Sequence, residues 1–507
     1  MSPERKTSDM RILFAAPKSG SGKTTVVCGV LELLKRKGLR PAALKCGPDY
    51  IDPMFHRAVL QIPTGNIDTF FTDPDMTRAL LFAESEHTDI TVMEAAMGYF
   101  DGLGGMRTRG SAWETACVTG TSAVLVLDAQ GGSVSLAAVV KGFLEFQPEE
   151  LRGMDADSAE TAAKSVFGQK REACSAVNNG IRGIFLNRVS RGYYPRLKRV
   201  IENSCGIPVI GYLPNENAFR VPSRHLGLID PAEMPSFRDW IRNIADVLEE
   251  TLDLEALLAI AGTAEVRRKE LSNENSAMAG SVPESRQLTA GKLVPENRIR
   301  IAVAKDEAFS FFYTENELLL KSLGAEPVFF SPMRDEKLPD QVSGLILGGG
   351  YPERFAGELS RNQALREQIR KKIEEGLPTL AECGGFLYLQ KNLEGADGER
   401  YAMCGVLEGE GYRTKSLRRF GYLTAVTKTD GIFGPAGTAL KGHEFHHWDC
   451  TENGDGLSLS KPMSDASENA CVYRDNLCAG FPHFYYPSNP EGIRSFLKTC
   501  SRYEEQR

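Results

Sequence analysis

The sequence predicts an α/β protein made of two doubly wound, mainly parallel-sheet domains in series. Three observations carry this expectation. An apolar run at residues 11–15 breaks into a small-residue loop and then into apolar positions at helical spacing. Further apolar runs at 42–46, 89–94, 122–128, 181–186 and 207–213 alternate with helical segments, as in a parallel sheet covered on both faces. After residues 261–297, rich in Glu, Asn, Ser, Lys and Gly, the alternation starts again. Domains are therefore expected at 1–260 and 298–507, with 261–297 as a linker. Residues 149–179, rich in Ala, Ser and charge, read as a surface insertion in the first domain.

In the first element, Ile12, Leu13 and Phe14 form a buried strand that opens onto APKSGSGKTT. Val26, Val27, Val30, Leu31 and Leu34 then mark one face of a helix. Lys35, Arg36 and Lys37 suit its negative end, and Gly38 stops it. Strand, glycine loop and helix in that order make a phosphate cradle. Ser19, Gly20, Ser21, Gly22, Lys23, Thr24 and Thr25 would hold the phosphates of ATP. Lys23 supplies a point charge, and the Thr24 hydroxyl faces Mg²⁺. Pro17 stands where the strict P-loop pattern has glycine, so the match is a variant.

The second strand, 42–46, runs into Gly47-Pro48-Asp49-Tyr50-Ile51-Asp52-Pro53. Two carboxylates and a phenol sit there at the carboxyl end of a parallel strand, where open α/β sheets bind ligands. Glu94 ends the next apolar run and is expected to share Mg²⁺ with Thr24.

In the second half, strands are expected at 298–304, 327–330, 344–347 and 378–381, with helices at 312–323 and 364–375. The last strand leads into Glu382-Cys383-Gly384-Gly385. A cysteine at such a strand-to-helix turn resembles a nucleophile elbow, and a helix N-terminus is expected to lower its pKa. Gly348-Gly349-Gly350 ends a neighbouring strand, and Gly349 and Gly350 are the candidate oxyanion hole. The base must come from His443, His446, His447 or His483. The first three crowd into GHEFHHW, which could equally wall a ligand, so His483 is the assignment. Tyr485 stands two residues beyond it, so no His-x-Glu acid orients the ring.

The bulk properties narrow the class. The chain has 507 residues, 42% hydrophobic, and a formal net charge of −7, which argues against nucleic acid or an anionic membrane as partner. No apolar run approaches the length of a spanning helix, and residues 1–10 are polar, without a secretory signal. The eleven cysteines show no CxxC pair or zinc spacing, which suits reduced thiols in a cytoplasm.

Together these motifs resemble the cobyrinic acid a,c-diamide synthases. The first half is similar to dethiobiotin synthetase-type ATPases and the second to class I glutamine amidotransferases. The likeness rests on APKSGSGKTT, KCGPDYIDP, EAAMGYFDG, IPVIGYLP with VPSRHLGL, GGGYPE, AECGG and GHEFH. The resemblance implies that Lys23 and Thr24 hold ATP and Mg²⁺, and that Glu94 is a metal ligand. It implies that Asp49, Tyr50, Ile51 and Asp52 act on the substrate carboxylates, and that Cys383 and His483 form the glutaminase pair. The family itself lacks the His-x-Glu acid, so Tyr485 follows it. Ala95-Ala96 in place of Gly-Val after the glutamate, and the long insertion, are departures.

The implied reaction is amidation of the a and c acetates of cobyrinic acid in cobalamin biosynthesis, through acyl phosphates and ammonia from glutamine. Its small-molecule partners are a tetrapyrrole polycarboxylate, glutamine and ATP. Passage of ammonia implies close docking of the two domains, and a homodimer is compatible with the sequence. Hydrogenobyrinic acid and nickel sirohydrochlorin are alternative substrates. A P-loop ATPase switch and a glutamine sensor remain as other classes, which the glutaminase residues argue against.

Overall fold

A computed structural model of the chain describes residues 10–148, 178–219, 234–264 and 298–506. Residues 149–177 of the expected insertion at 149–179, the motif at 221–228 and most of the linker lie outside the described residues. The chain divides into two compact units, Met1–Pro283 and Glu284–Arg507.

The first unit is a seven-stranded, wholly parallel sheet. Its strands are β1 (Met10–Ala15), β2 (Pro41–Cys46), β3 (Thr64–Ile67), β4 (Ile90–Ala95), β5 (Ser122–Asp128), β6 (Ile181–Asn187) and β7 (Val209–Leu213). They lie in the order β3-β2-β4-β1-β5-β6-β7. β1 is central, and its side chains alternate between two cores. Ile12 and Phe14 join one hydrophobic cluster, Leu13 and Ala15 the other. A strand buried on both faces must be apolar throughout, which is why it reads as a continuous run. β3 escapes sequence reading because Thr64, Gly65 and Asn66 carry no apolar period.

Helix α1 (Lys23–Arg36) follows the glycine loop and buries Val26, Val27, Val30, Leu31 and Leu34. Burial of each such side chain stabilises by about 1.5–3 kcal/mol. Lys35 and Arg36 occupy its last turn, and Gly38 ends it at φ 80°. Gly29 lets the helix Met234–Thr251 pack closely against it. The helix Leu254–Ala261 also belongs to this unit, since Leu257, Ile260, Ala261 and Ala264 are buried.

The second unit contains β8 (Ile299–Ala304), β9 (Ala325–Phe330), β10 (Gly344–Leu347) and β11 (Thr379–Glu382). They pair in parallel in the order β11-β10-β8-β9, and the strand Leu477–Gly480 pairs in parallel with β11. The antiparallel strand Val472–Arg474 completes this sheet. Two smaller sheets, of four and five strands, were not expected from the sequence. The five-stranded one pairs Arg419–Thr427, Ala439–His446 and His483–Phe484 antiparallel, and it carries the histidines.

Among the described residues, nine cysteines are free thiols. No helix of the described residues is long and apolar enough to cross a membrane.

A Cβ at Gly29 would meet Ile244 Cγ2 at 2.3 Å and Leu248 Cδ1 at 2.7 Å. Gly29→Val should therefore lower the urea midpoint by the equivalent of about 1–3 kcal/mol through overpacking. An unchanged midpoint would show that these two helices can part without cost.

Candidate functional sites

The glycine loop of the first unit leaves the start of α1 unusually bare. Gly22, at the N-cap, has φ 90° and offers no side-chain cap, so the first-turn N–H groups are kept for an anion. The loop is held from another strand. Asn187, at the end of β6, donates through Nδ2 to Ser21 O at 2.9 Å. Arg188 donates to Gly20 O at 3.1 Å while paired with Asp128 at 2.5 Å. A Cβ at Gly22 would lie 2.0 Å from Asn187 Nδ2, so this approach requires glycine. The Ser21 side chain turns inward to Lys18 O at 3.0 Å.

Lys23 donates to Met97 O at 3.0 Å, and burial lowers its pKa to about 8. Thr24 Oγ1 donates to Glu94 Oε1 at 2.7 Å and lies 3.5 Å from Asp52 Oδ2. Sequence reasoning missed the residue at the centre of this cluster. Lys45 Nζ lies 2.6 Å from Asp52, 2.8 Å from Glu94 and 3.8 Å from Asp49. Burial opposes its charge, but Glu94, Asp52 and Asp49 hold its pKa above that of a free ammonium. Lys45 ends an apolar strand in the motif KCGPDYIDP, and a cation there beside two acids was the available signal. Asp49 accepts from Ile51 N at 2.8 Å, and burial, then Asp52, raises its pKa to about 6.

One cavity of roughly 480 Å³, within the range of small-ligand sites, gathers these groups. Ser19, Gly20, Gly22, Lys23, Thr24 and Thr25 line it, and so do Lys45, Asp49, Asp52 and Glu94. Gln130, Asn187 and Asn215, at the ends of β5, β6 and β7, also line it and were not foreseen. Tyr50 and Ile51, expected at the substrate, are not among its lining residues. Tyr50 is buried, and its carbonyl accepts from Met54 N in a short helix.

In the second unit Cys383 links β11 to the short helix Gly384–Leu389 at φ 47°, ψ −101°. This is a strained conformation for a side chain with a Cβ. Surrounding hydrogen bonds impose it: Cys383 N donates to Gly480 O at 2.7 Å, and Gly385 N to Gly348 O at 3.0 Å. The two glycines after it are needed for close approach. A Cβ at Gly384 would lie 3.0 Å from Gly350 N, and one at Gly385 2.1 Å from Leu347 O.

The Gly348–Gly350 loop is the common neighbour of the expected pair. A Cβ at Gly349 would lie 2.1 Å from His483 Cε1. The N–H of Gly349, expected in the oxyanion hole, donates to Phe311 O at 3.2 Å. The N–H groups of Gly350 and Gly384 donate to no backbone carbonyl among the described residues.

The thiol also departs from expectation. Cys383 is 7% exposed, and burial followed by the charge of Glu353 pushes its pKa up rather than down. A helix of six residues has too small a dipole to offset that desolvation. Burial likewise lowers His483 well below an ordinary histidine, so both partners are neutral at pH 7. His443 stacks on His483, His446 stacks on Phe481 at 3.9 Å, and the exposed His447 meets Phe445 at 6.0 Å.

The profile of the CobQ/CobB/MinD/ParA nucleotide binding domain matches residues 12–229, and that of the CobB/CobQ-like glutamine amidotransferase domain matches 300–490. The chain is 33% identical over 505 residues to the cobyrinate a,c-diamide synthase of Priestia megaterium, covering 99% of each chain. It is 38% identical over 440 residues to that of Listeria monocytogenes serotype 4b, covering 86% of each. It is 34% identical over 500 residues to that of Thermoplasma volcanium, covering 98% of each. With likeness of this extent across both units, the chain belongs to the cobyrinate a,c-diamide synthase family.

Proposed function

We propose that the protein amidates the a and c acetate carboxylates of cobyrinic acid, using ATP and glutamine-derived ammonia. The observation that carries this reading is one chain with two sites: a bare glycine loop closed by Lys23, and a strained cysteine sharing a glycine loop with His483.

At the first site the triphosphate lies along the loop amides at the start of α1. Lys23 and Lys45 offset the charge that spreads over the transferring phosphoryl group, and the substrate carboxylate accepts it as an acyl phosphate. A carboxylate is a poor electrophile, and the phosphoryl group turns one of its oxygens into a leaving group. Asp49 and Asp52 hold Lys45 and order the turn rather than attract a polycarboxylate. The residues fit Mg²⁺: Thr24 offers a hydroxyl beside Glu94, whose buried Oε2 has no hydrogen-bond partner. No cluster of three His, Cys, Asp or Glu able to hold a metal occurs among the described residues. Magnesium is commonly held by one or two carboxylates plus phosphate oxygens and water. Bound there, it would neutralise phosphate charge.

At the second site the Cys383 sulfur attacks the glutamine side-chain amide while its proton passes to His483. The N–H groups of Gly350 and Gly384 receive the developing oxyanion. His483 returns the proton to the departing nitrogen, and water then hydrolyses the thioester to glutamate. The ammonia displaces phosphate from the acyl phosphate, leaving an amide.

Two measurements test these steps. Mass spectrometry after incubation with cobyrinic acid, ATP, Mg²⁺ and glutamine should show product with two new amides. Cys383→Ser should lose about 10³-fold or more of the glutamine-dependent rate while keeping activity on free ammonia. Absence of amidated product would overturn the substrate assignment. Calorimetry of ATP binding at pH 8.5, in buffers of different ionisation enthalpy, should show proton uptake. Lys23 near pKa 8 is then mostly neutral and is recharged by the triphosphate. The uptake should fade by pH 6.5 and be absent in Lys23→Arg, whose side chain stays charged; undiminished uptake in that variant would place the titrating group elsewhere.

A further inference from the structure

His483 has no acid two residues on; Tyr485 stands there instead. What meets the imidazole is a second imidazole. His443 and His483 are directly paired residues on antiparallel strands, and their ring centroids lie 5.0 Å apart with planes 17° from parallel. His443 is gripped in turn: the Tyr313 hydroxyl lies 3.1 Å from its Nδ1, and Tyr313 packs edge-on against Tyr485 at 5.1 Å. Gly349 lies against His483 Cε1, and the Phe311 ring is 6.4 Å from the imidazole. The plane of His483 is thus set by packing from several elements.

We propose that His443, anchored by Tyr313, is the positioning residue of the glutaminase, its ring face fixing His483 and stabilising the imidazolium that forms during thiol attack. The proposal rests on the glutaminase reading above. As the S–C bond to the amide carbon forms, the carbonyl π pair moves onto oxygen and the thiol proton moves to a His483 ring nitrogen. When the C–N bond breaks, that proton leaves on the amine and His483 is neutral again. Between those events His483 carries a positive charge in a buried site, where desolvation is costly. A neutral aromatic face answers that charge through its π density. Burial keeps His443 neutral at pH 7, with a pKa near 3, so it presents an uncharged face there; a proton on His443 would instead push the pKa of His483 further down. The other titratable groups around the pair are the Tyr313 and Tyr485 phenols, His446, held near 4 chiefly by burial, Glu444, paired with Arg419, the Cys383 thiol, which burial keeps neutral, and Glu353 and Glu382, whose charges act on that thiol.

The test uses the full chain and follows glutamate release against pH, with ammonia-dependent amidation as the control for an intact first unit. Labelling of Cys383 by 6-diazo-5-oxo-L-norleucine controls for an intact thiol site. His443→Leu should lower kcat/KM for glutamine by about 10–30-fold, the scale of a desolvated cation–π contact. Its acid limb should move to lower pH, since an unsupported imidazolium gives up its proton more readily. His443→Phe keeps a ring face but gives up the contact with the Tyr313 hydroxyl, so it should lose about three- to tenfold, less than the Leu variant. Equal loss in the Leu and Phe variants, or none in Leu, overturns the proposal. If His443→Leu fails the labelling control, Tyr313→Phe decides. It should lower kcat/KM by about three- to tenfold, the scale of one hydrogen bond, with the limb shifted the same way, and an unchanged profile overturns the proposal. If the unaltered protein releases no glutamate, the glutaminase reading fails instead.

Discussion

The first unit depends on how one buried ammonium is balanced. Lys45 ends β2, Asp49 and Asp52 belong to the turn that follows, and Glu94 ends β4. Glu94 then reaches Thr24 in the first turn of α1. Four pieces of backbone therefore meet at one charge, and removing a partner from such a buried pair costs about 3–5 kcal/mol. Around the cavity Lys23, Lys45 and Arg188 face the carboxylates of Asp49, Asp52, Glu94 and Glu216, so it is not positively charged overall. A triphosphate alone would meet repulsion there. Burial, and then the neighbouring Asp52, raises the pKa of Asp49, the most exposed of the three acids around Lys45.

The second unit solves a different electrostatic problem. The proposed nucleophile and base, Cys383 and His483, are buried and uncharged at rest, so either carries charge only while a proton is in transit. The strained turn at Cys383 and the glycines that crowd it fix the geometry before any charge appears. Reactivity then follows from placement more than from a pre-formed thiolate. This reverses the emphasis that a helix N-terminus suggests.

Much of this was legible in the sequence, and what was not has physical reasons. Strands buried on both faces announce themselves, so β1 and β5 are visible as apolar runs, whereas Thr64–Ile67 holds its place by pairing with β2 and carries no such signal. The glycine loop, Glu94, Cys383 and His483 stand out because their chemistry demands fixed neighbours. Lys45 did not, because a lysine at a strand end is ordinarily solvated; only the fold shows three carboxylates around it. A run of three glycines does not reveal which amide is bonded to Phe311; in the fold it is that of Gly349. The partners of His483 come from strands that the sequence did not mark, and their contact depends on antiparallel register.

The hold that Asn187 and Arg188 exert on the glycine loop bears on how this nucleotide site could have been inherited. Ser21 and Asn187 are separated by more than a hundred and sixty positions, yet the loop takes its shape from both. A segment carrying residues 16–25 alone would arrive in a new scaffold without its support, and any side chain at Gly22 would collide with the support where it exists. Recombination can therefore move this loop only together with the end of β6. The smallest portable unit is most of the sheet, so the motif should travel between proteins as a whole domain and seldom as a graft.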